Sequence, residues 1–165
     1  MKCIKCGMEI ADNALYCSAC GAKQAKVYRQ VFARNGHSER NFIEYVNQWL
    51  QSDPRRANVS CKFDTGTSLG LMANKSKLNQ IEIEYELLDG MNQNVYCLVR
   101  EESNAIYRKN TDKFIEQWKQ NHPGVTVVTW TCTYHGRGKS SSLLLGGVGA
   151  WNRINAFILC KFPRR

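Results

Sequence analysis

From Val27 onward the apolar residues keep strand and helix periods in turn. Val27 to Arg34 reads as a strand. Ser38 is placed to cap a helix, with Glu39 in the first turn, where an acid meets the positive end of the helix dipole. Phe42, Ile43, Val46, Trp49 and Leu50 mark one helical face, and Asp53-Pro54 closes the helix. Val59, Cys61 and Phe63 alternate with polar neighbours, as do Ile81, Ile83, Tyr85 and Leu87. Glu82, Glu84 and Glu86 give the latter strand one face that is wet or meets basic side chains. The order then recurs. Val95 to Arg100 is a strand, and Phe114, Ile115 and Trp118 mark a shorter helix ending at Asn121-His122-Pro123-Gly124. Strands follow from Val125 to Tyr134 and from Ile154 to Phe162.

Set side by side, Phe42-Ile43-Glu44 with Trp49 matches Phe114-Ile115-Glu116 with Trp118, and Val59 to Phe63 matches Trp130 to Tyr134, which makes Cys61 and Cys132 equivalent. The expectation is an α+β domain over residues 27–165, built as tandem βαββ units (27–89 and 95–162) with two helices on an antiparallel sheet. A ferredoxin-like βαββαβ core with an added hairpin is the alternative. Cys61, Cys97, Cys132 and Cys160 fall in the strands at spacings that suit no metal; they read as small buried hydrophobes, and unpaired cysteines fit a reducing compartment.

The first 24 residues follow neither period. Their pattern is Cys3-x-x-Cys6-Gly7 and Cys17-x-x-Cys20-Gly21. Two residues between cysteines let one tight turn aim both sulfurs at a common centre, and the glycine supplies the positive φ the turn needs. Two such turns complete a tetrahedral thiolate set with no position left for water or substrate, so the site is structural. The competing metal readings are weaker: a redox Cys-x-x-Cys is expected near a βαβ unit, and an iron–sulfur ligand set stays open as an alternative. On these six residues the segment, residues 1–24, resembles the zinc-ribbon family. The resemblance implies two knuckles on a small β-hairpin, with one structural Zn²⁺ held by Cys3, Cys6, Cys17 and Cys20. It implies no particular activity, because the family serves nucleic-acid binding, protein docking and plain stapling alike. The segment offers only Ile4, Met8, Ile10, Leu15 and Tyr16 as apolar material, so metal binding has to supply its folding free energy, on the order of 10 kcal/mol.

Charge narrows the partners. The chain of 165 residues carries 23 basic and 14 acidic side chains, a balance of +9, and four thiolates with one Zn²⁺ bring this to +7. Residues 1–102 contribute 13 − 12 = +1 and residues 103–165 contribute 10 − 2 = +8. That asymmetry favours an anionic partner for the C-terminal third, although the basic residues are scattered rather than run together. At 43% hydrophobic and 22% charged the composition is that of a folded protein. The most apolar window, Leu143 to Cys160, is broken by Asn152, Arg153 and Asn155, so no membrane span is expected; no signal core follows Met1, and the expected location is the cytoplasm.

No catalytic constellation stands out. His37, His122 and His135 sit in expected loops or element ends, with nothing to position a partner. Gly138-Lys139-Ser140 looks like the end of a phosphate-binding loop, but Thr133 stands where that motif needs glycine, and the glycine-rich stretch after it is a poor helix former. A loop over 135–153 with Arg137, Lys139 and Arg153 is left as a loose anion site, or as a plain hairpin connection. The expectation is therefore a non-enzymatic, zinc-binding adaptor whose partner is a protein. A nucleic-acid-binding protein using the basic third, with Trp130, Tyr134 and Trp151 as its aromatics, comes next. An enzyme with a site assembled from loops around His135 and Arg137 comes last.

Overall fold

The computed structural model describes residues 1–12, 14–24, 26–69, 74–104, 111–136 and 152–165. After the cysteine-rich segment the chain runs β1 (Val27–Ala33), α1 (Glu39–Ser52), β2 (Arg56–Leu69), β3 (Asn74–Leu87), β4 (Asn94–Asn104), α2 (Thr111–Asn121), β5 (Thr126–Gly136) and β6 (Asn152–Pro163). In each βαββ unit the last strand is central. β3 pairs with β1 and β2, β6 pairs with β4 and β5, and all pairings are antiparallel. The two three-stranded sheets join where Lys75 of β3 meets His135 of β5. This is the α+β tandem the periodicity implies, and not a ferredoxin-like core.

Local chemistry fixes the helix ends. Ser38 has extended backbone and its hydroxyl accepts from the Asn41 amide at 3.2 Å, so it caps α1. Glu39 follows and forms ion pairs with Arg34 at 3.6 Å and Arg100 at 3.4 Å. At the other end Asp53 takes an extended conformation before Pro54, and its carboxylate accepts from the Arg55 amide and guanidinium, both at 3.0 Å. These contacts, the Arg55 guanidinium first, hold the Asp53 carboxyl down at about 2.

The two helices take opposite faces of the second sheet. Phe42, Ile43, Val46 and Leu50 of α1 share one core with Phe32, Val59, Ile81 and Ile83, and also with Tyr96, Leu98, Phe157 and Leu159 from β4 and β6. Ile115 and Trp118 of α2 form a second core with Ala156, Ile158 and Cys160, on the alternate positions of the same β6. Thus α1 lies against both sheets and α2 against one. Asn47 locks this arrangement from α1: its Nδ2 donates to the Leu98 carbonyl at 2.8 Å, and its Oδ1 accepts from the Leu98 amide at 2.7 Å. The side-chain amide stands in for a neighbouring strand on the edge of β4.

Several expectations change in extent. β2 and β3 form a hairpin of 14 residues each, whereas the alternation marked only 59–63 and 81–87. The distal arm is polar in sequence (Asp64-Thr65-Gly66-Thr67-Ser68) and is paired along its length, with buried Leu78 opposite Thr65. β5 runs through Gly136 and β6 begins at Asn152, so His135 and Arg153 lie in paired strands rather than in the loop assigned to 135–153. Each unit carries one extra residue near the start of its post-helix strand, between Ala57 and Ser60 in β2 and between Val127 and Thr129 in β5. Counted from that bulge, Cys61 corresponds to Trp130 and Phe63 to Cys132, two residues away from the pairing of Cys61 with Cys132. The shift keeps each cysteine on the side of its own helix.

The acidic face of β3 meets basic side chains. Glu82 pairs with Arg29 and with Lys62 at 3.5 Å, and Glu84 pairs with Lys62 at 3.4 Å. The strand cysteines are unbridged. Burial pushes the thiols of Cys61 and Cys160 up to about 12 and that of Cys132 to about 11, leaving them poor nucleophiles. Among the described residues no helix is long and apolar enough to cross a membrane.

Candidate metal centre

The first 24 residues make the same turn twice, fourteen residues apart. In the first, the Cys3 amide donates to the Met8 carbonyl at 2.8 Å and the Gly7 amide to the Cys3 carbonyl at 3.0 Å. In the second, the Cys17 amide donates to Ala22 at 2.8 Å and the Gly21 amide to Cys17 at 2.9 Å. Gly7 and Gly21 have φ of 73° and 67°, a conformation that strains a residue bearing Cβ. Single bridges between Lys2 and Glu9 and between Tyr16 and Lys23 close the two knuckles.

The turns aim four sulfurs at one point. Cys3 Sγ lies 3.7 Å from Cys20 Sγ, Cys6 Sγ lies 3.7 Å from Cys17 Sγ, and all four fall within 4.8 Å of one another. A disulfide needs sulfurs at about 2 Å. A tetrahedron of Zn–S bonds near 2.3 Å sets its sulfurs about 3.8 Å apart, which the Cys3–Cys20 and Cys6–Cys17 distances match. Cys3 and Cys17 are buried while Cys6 and Cys20 reach solvent. The Cys6 amide at 3.5 Å and the Lys5 amide at 3.4 Å point at Cys3 Sγ. These amides, Cys6 first, bring the Cys3 thiol down to about 6 against the opposing effect of burial. Donor type, number and spacing all fit one structural zinc ion. When bound it would cross-link the knuckles, and four thiolates leave it no position for a reactant.

The spacing of the cysteines says nothing of Gln24, which braces this cage. Its side chain is 2% exposed. Nε2 donates to Cys3 Sγ at 3.4 Å and to the Ala22 carbonyl at 2.7 Å, and Oε1 accepts from the Ile4 amide at 3.0 Å. One residue of the second knuckle thereby holds a ligand of the first. Its signal in the sequence is a polar residue at the position where the first knuckle carries Ile10. The apolar residues of the segment do not form a core: Ile4, Met8, Leu15 and Tyr16 are 72%, 54%, 51% and 58% exposed.

Ile4, Leu15 and Tyr16 instead face Tyr28, Leu87 and Leu88 across a cleft of about 390 Å³ between the cysteine-rich segment and the end of β3. An ion pair between Lys23 and Asp89 spans the two sides.

Among the described residues, the others singled out stand apart from one another, His135 and Arg153 excepted. Arg137, Lys139 and Trp151 lie outside the described residues. Arg153 is opposite His135 in the β5–β6 ladder. Trp130 packs against the α2 core, and His122 stacks on Trp118 at 4.1 Å with Nδ1 2.8 Å from the Trp118 carbonyl, closing α2. Thr133 and Asn155, buried polar residues paired across β5 and β6, were not expected; Asn155 accepts from Arg100 at 2.8 Å.

Residues 2–24 match the zinc-ribbon domain family, which agrees with the geometry of the cage. No curated protein and no solved structure matches the chain.

Proposed function

We propose that the protein is a non-enzymatic adaptor, in which a zinc-stapled ribbon and a tandem βαββ body together dock another protein. The observation that carries this reading is the cleft between them, where the ribbon holds Ile4, Leu15 and Tyr16 out toward Tyr28, Leu87 and Leu88. Its volume, and a lining in which these six stand beside Lys23, Lys26, Arg55, Glu86 and Asp89, are those of a site that takes a side chain or two of a partner. The closed thiolate set argues in the same direction, since it stabilises a surface and activates nothing. The free thiols fit a reducing compartment such as the cytoplasm. We read the two βαββ units as an internal duplication on the strength of their common strand order and bulge.

A photo-crosslinker at Leu15 tests the docking reading. One protein captured in stoichiometric amount, and lost when Ile4→Asp is added with zinc content unchanged, is the expected result. Identical capture by the parent and Ile4→Asp chains defeats it. The charge of residues 103–165, +8, favours nucleic acid as a second reading. Four or five phosphate contacts from Arg137, Lys139, Arg153, Lys161, Arg164 and Arg165 would then give a slope of about −4 in log K against log salt for duplex DNA. Replacing Arg137 and Lys139 by alanine would lower that slope by about two. A flat salt dependence excludes it.

A further inference from the structure

The cage and the docking cleft meet at one side chain. Gln24 lines the cleft as well as bracing Cys3. Its Oε1 accepts from the Ile4 amide at 3.0 Å, and its backbone amide donates to the Leu15 carbonyl at 2.7 Å. Ile4 and Leu15 are the two aliphatic residues that the ribbon contributes to the cleft wall. One buried residue therefore touches a zinc ligand and the main chain of both.

The two walls of the cleft are held by different means. On the body side, Tyr28 and Leu87 belong to the β1–β3 ladder, and Tyr28 stacks on Tyr85 of β3 at 5.5 Å. On the ribbon side, Ile4 and Leu15 are exposed, so burial in a core does not fix them. Their places follow from the knuckles: Ile4 comes directly after Cys3, and only Tyr16 separates Leu15 from Cys17. Those knuckles owe their folding free energy to the metal. The cleft thus has one wall fixed by a sheet and one fixed by a metal cage, with Gln24 at the junction.

We propose that zinc and an apolar side chain docked in the cleft bind cooperatively, with Gln24 as the positioning residue that passes the state of the cage to the cleft wall. Such regulation rests on the docking reading and sets when docking happens. With zinc bound, Ile4 and Leu15 stand opposite Leu87 and Leu88 and can enclose an apolar group. Without it the ribbon wall disperses and only the body wall is left. Coupling of this kind is reciprocal, so an occupied cleft tightens zinc binding by the same factor. A chain stripped of its metal releases its partner, and a partner in place protects the metal.

Indole, an apolar ring of side-chain size, is the probe, and methyl NMR of the full chain follows Ile4, Leu15, Leu87 and Leu88 during its titration. In the zinc-loaded parent all four should shift saturably with millimolar affinity. Chelation should abolish the response while the buried Ile81 and Ile158 of the body keep their signals. Gln24→Ala at saturating zinc should bind indole about fivefold more weakly, or worse. Gln24→Glu keeps an acceptor for the Ile4 amide and loses the donor to Cys3. It should therefore retain the parent's indole affinity while needing more zinc to saturate. Equal indole binding with and without zinc overturns the proposal and leaves the docking reading standing. Parent affinity in Gln24→Ala overturns it too, as does a Gln24→Glu chain that loses indole at saturating zinc. A zinc-loaded parent that shows no shift defeats the docking reading itself, and this regulation with it.

Discussion

The ribbon and the body solve the problem of staying folded by different means. In the ribbon, side chains as large as Ile4 and Tyr16 stand in solvent while two sulfurs, Cys3 and Cys17, are buried. In the body the inside is built from Phe42, Phe157, Ile81, Ile158 and Leu159, and the cysteines there are only filler. The same residue type thus has two fates. Cysteine in a tight turn beside backbone amides becomes a ligand, and cysteine in a strand under a helix becomes a small hydrophobe with its ionisation suppressed. Position, not abundance, decides between them.

The most severe way to break this contrast is to remove the metal. Chelation, or Cys17→Ser, should unfold the ribbon with a loss on the order of 10 kcal/mol of metal-derived stability, and leave the body folded. Metal analysis should give one zinc per chain beforehand. A thiol reagent at neutral pH should then titrate the ribbon cysteines at once, while Cys61 and Cys160, with thiols near 12, react only after denaturation. Zinc-free protein that keeps its ribbon signals in an NMR spectrum, or a body that melts on chelation, would erase the distinction.

Phe157→Ala attacks the other half. The side chain projects from β6 into the core under α1 and is fully buried, so truncation should cost about 3–5 kcal/mol in urea unfolding of the body. Zinc affinity should not change, because no ligand touches that core. A smaller effect sharpens the ribbon side: Gln24→Ala removes the donor to Cys3 and should weaken zinc binding about 10- to 100-fold in competition with a chelator. An unaltered affinity would reduce Gln24 to a spacer.

Much of this was readable beforehand, and the rest was hidden for identifiable reasons. The zinc ligands were legible because four cysteines at fixed spacing have few other uses. The helices were legible from Phe42 to Leu50 and from Phe114 to Trp118, where one face is apolar. The distal β2–β3 arm was not, because strands held mainly by pairing need no alternation; Leu78 is its buried anchor and sits alone among polar neighbours. The two-residue offset of Cys61 from Cys132 was invisible because a bulge is an event of register, which a single strand does not display. Gln24 and Asn47 are each a single amide side chain, and only the fold brings them to Cys3 and Leu98.

The grip of Asn47 on Leu98 bears on the order in which the molecule can be made. The helix α1 is complete once a third of the chain has been synthesised, yet its inner face rests partly on Phe157 and Leu159, near the very end. During translation β1, β2 and β3 can cover only part of that face. It stays open until the last strand emerges, so the first βαββ unit is expected to need shelter on the ribosome, and a chain severed between the units should yield two sticky fragments rather than two domains.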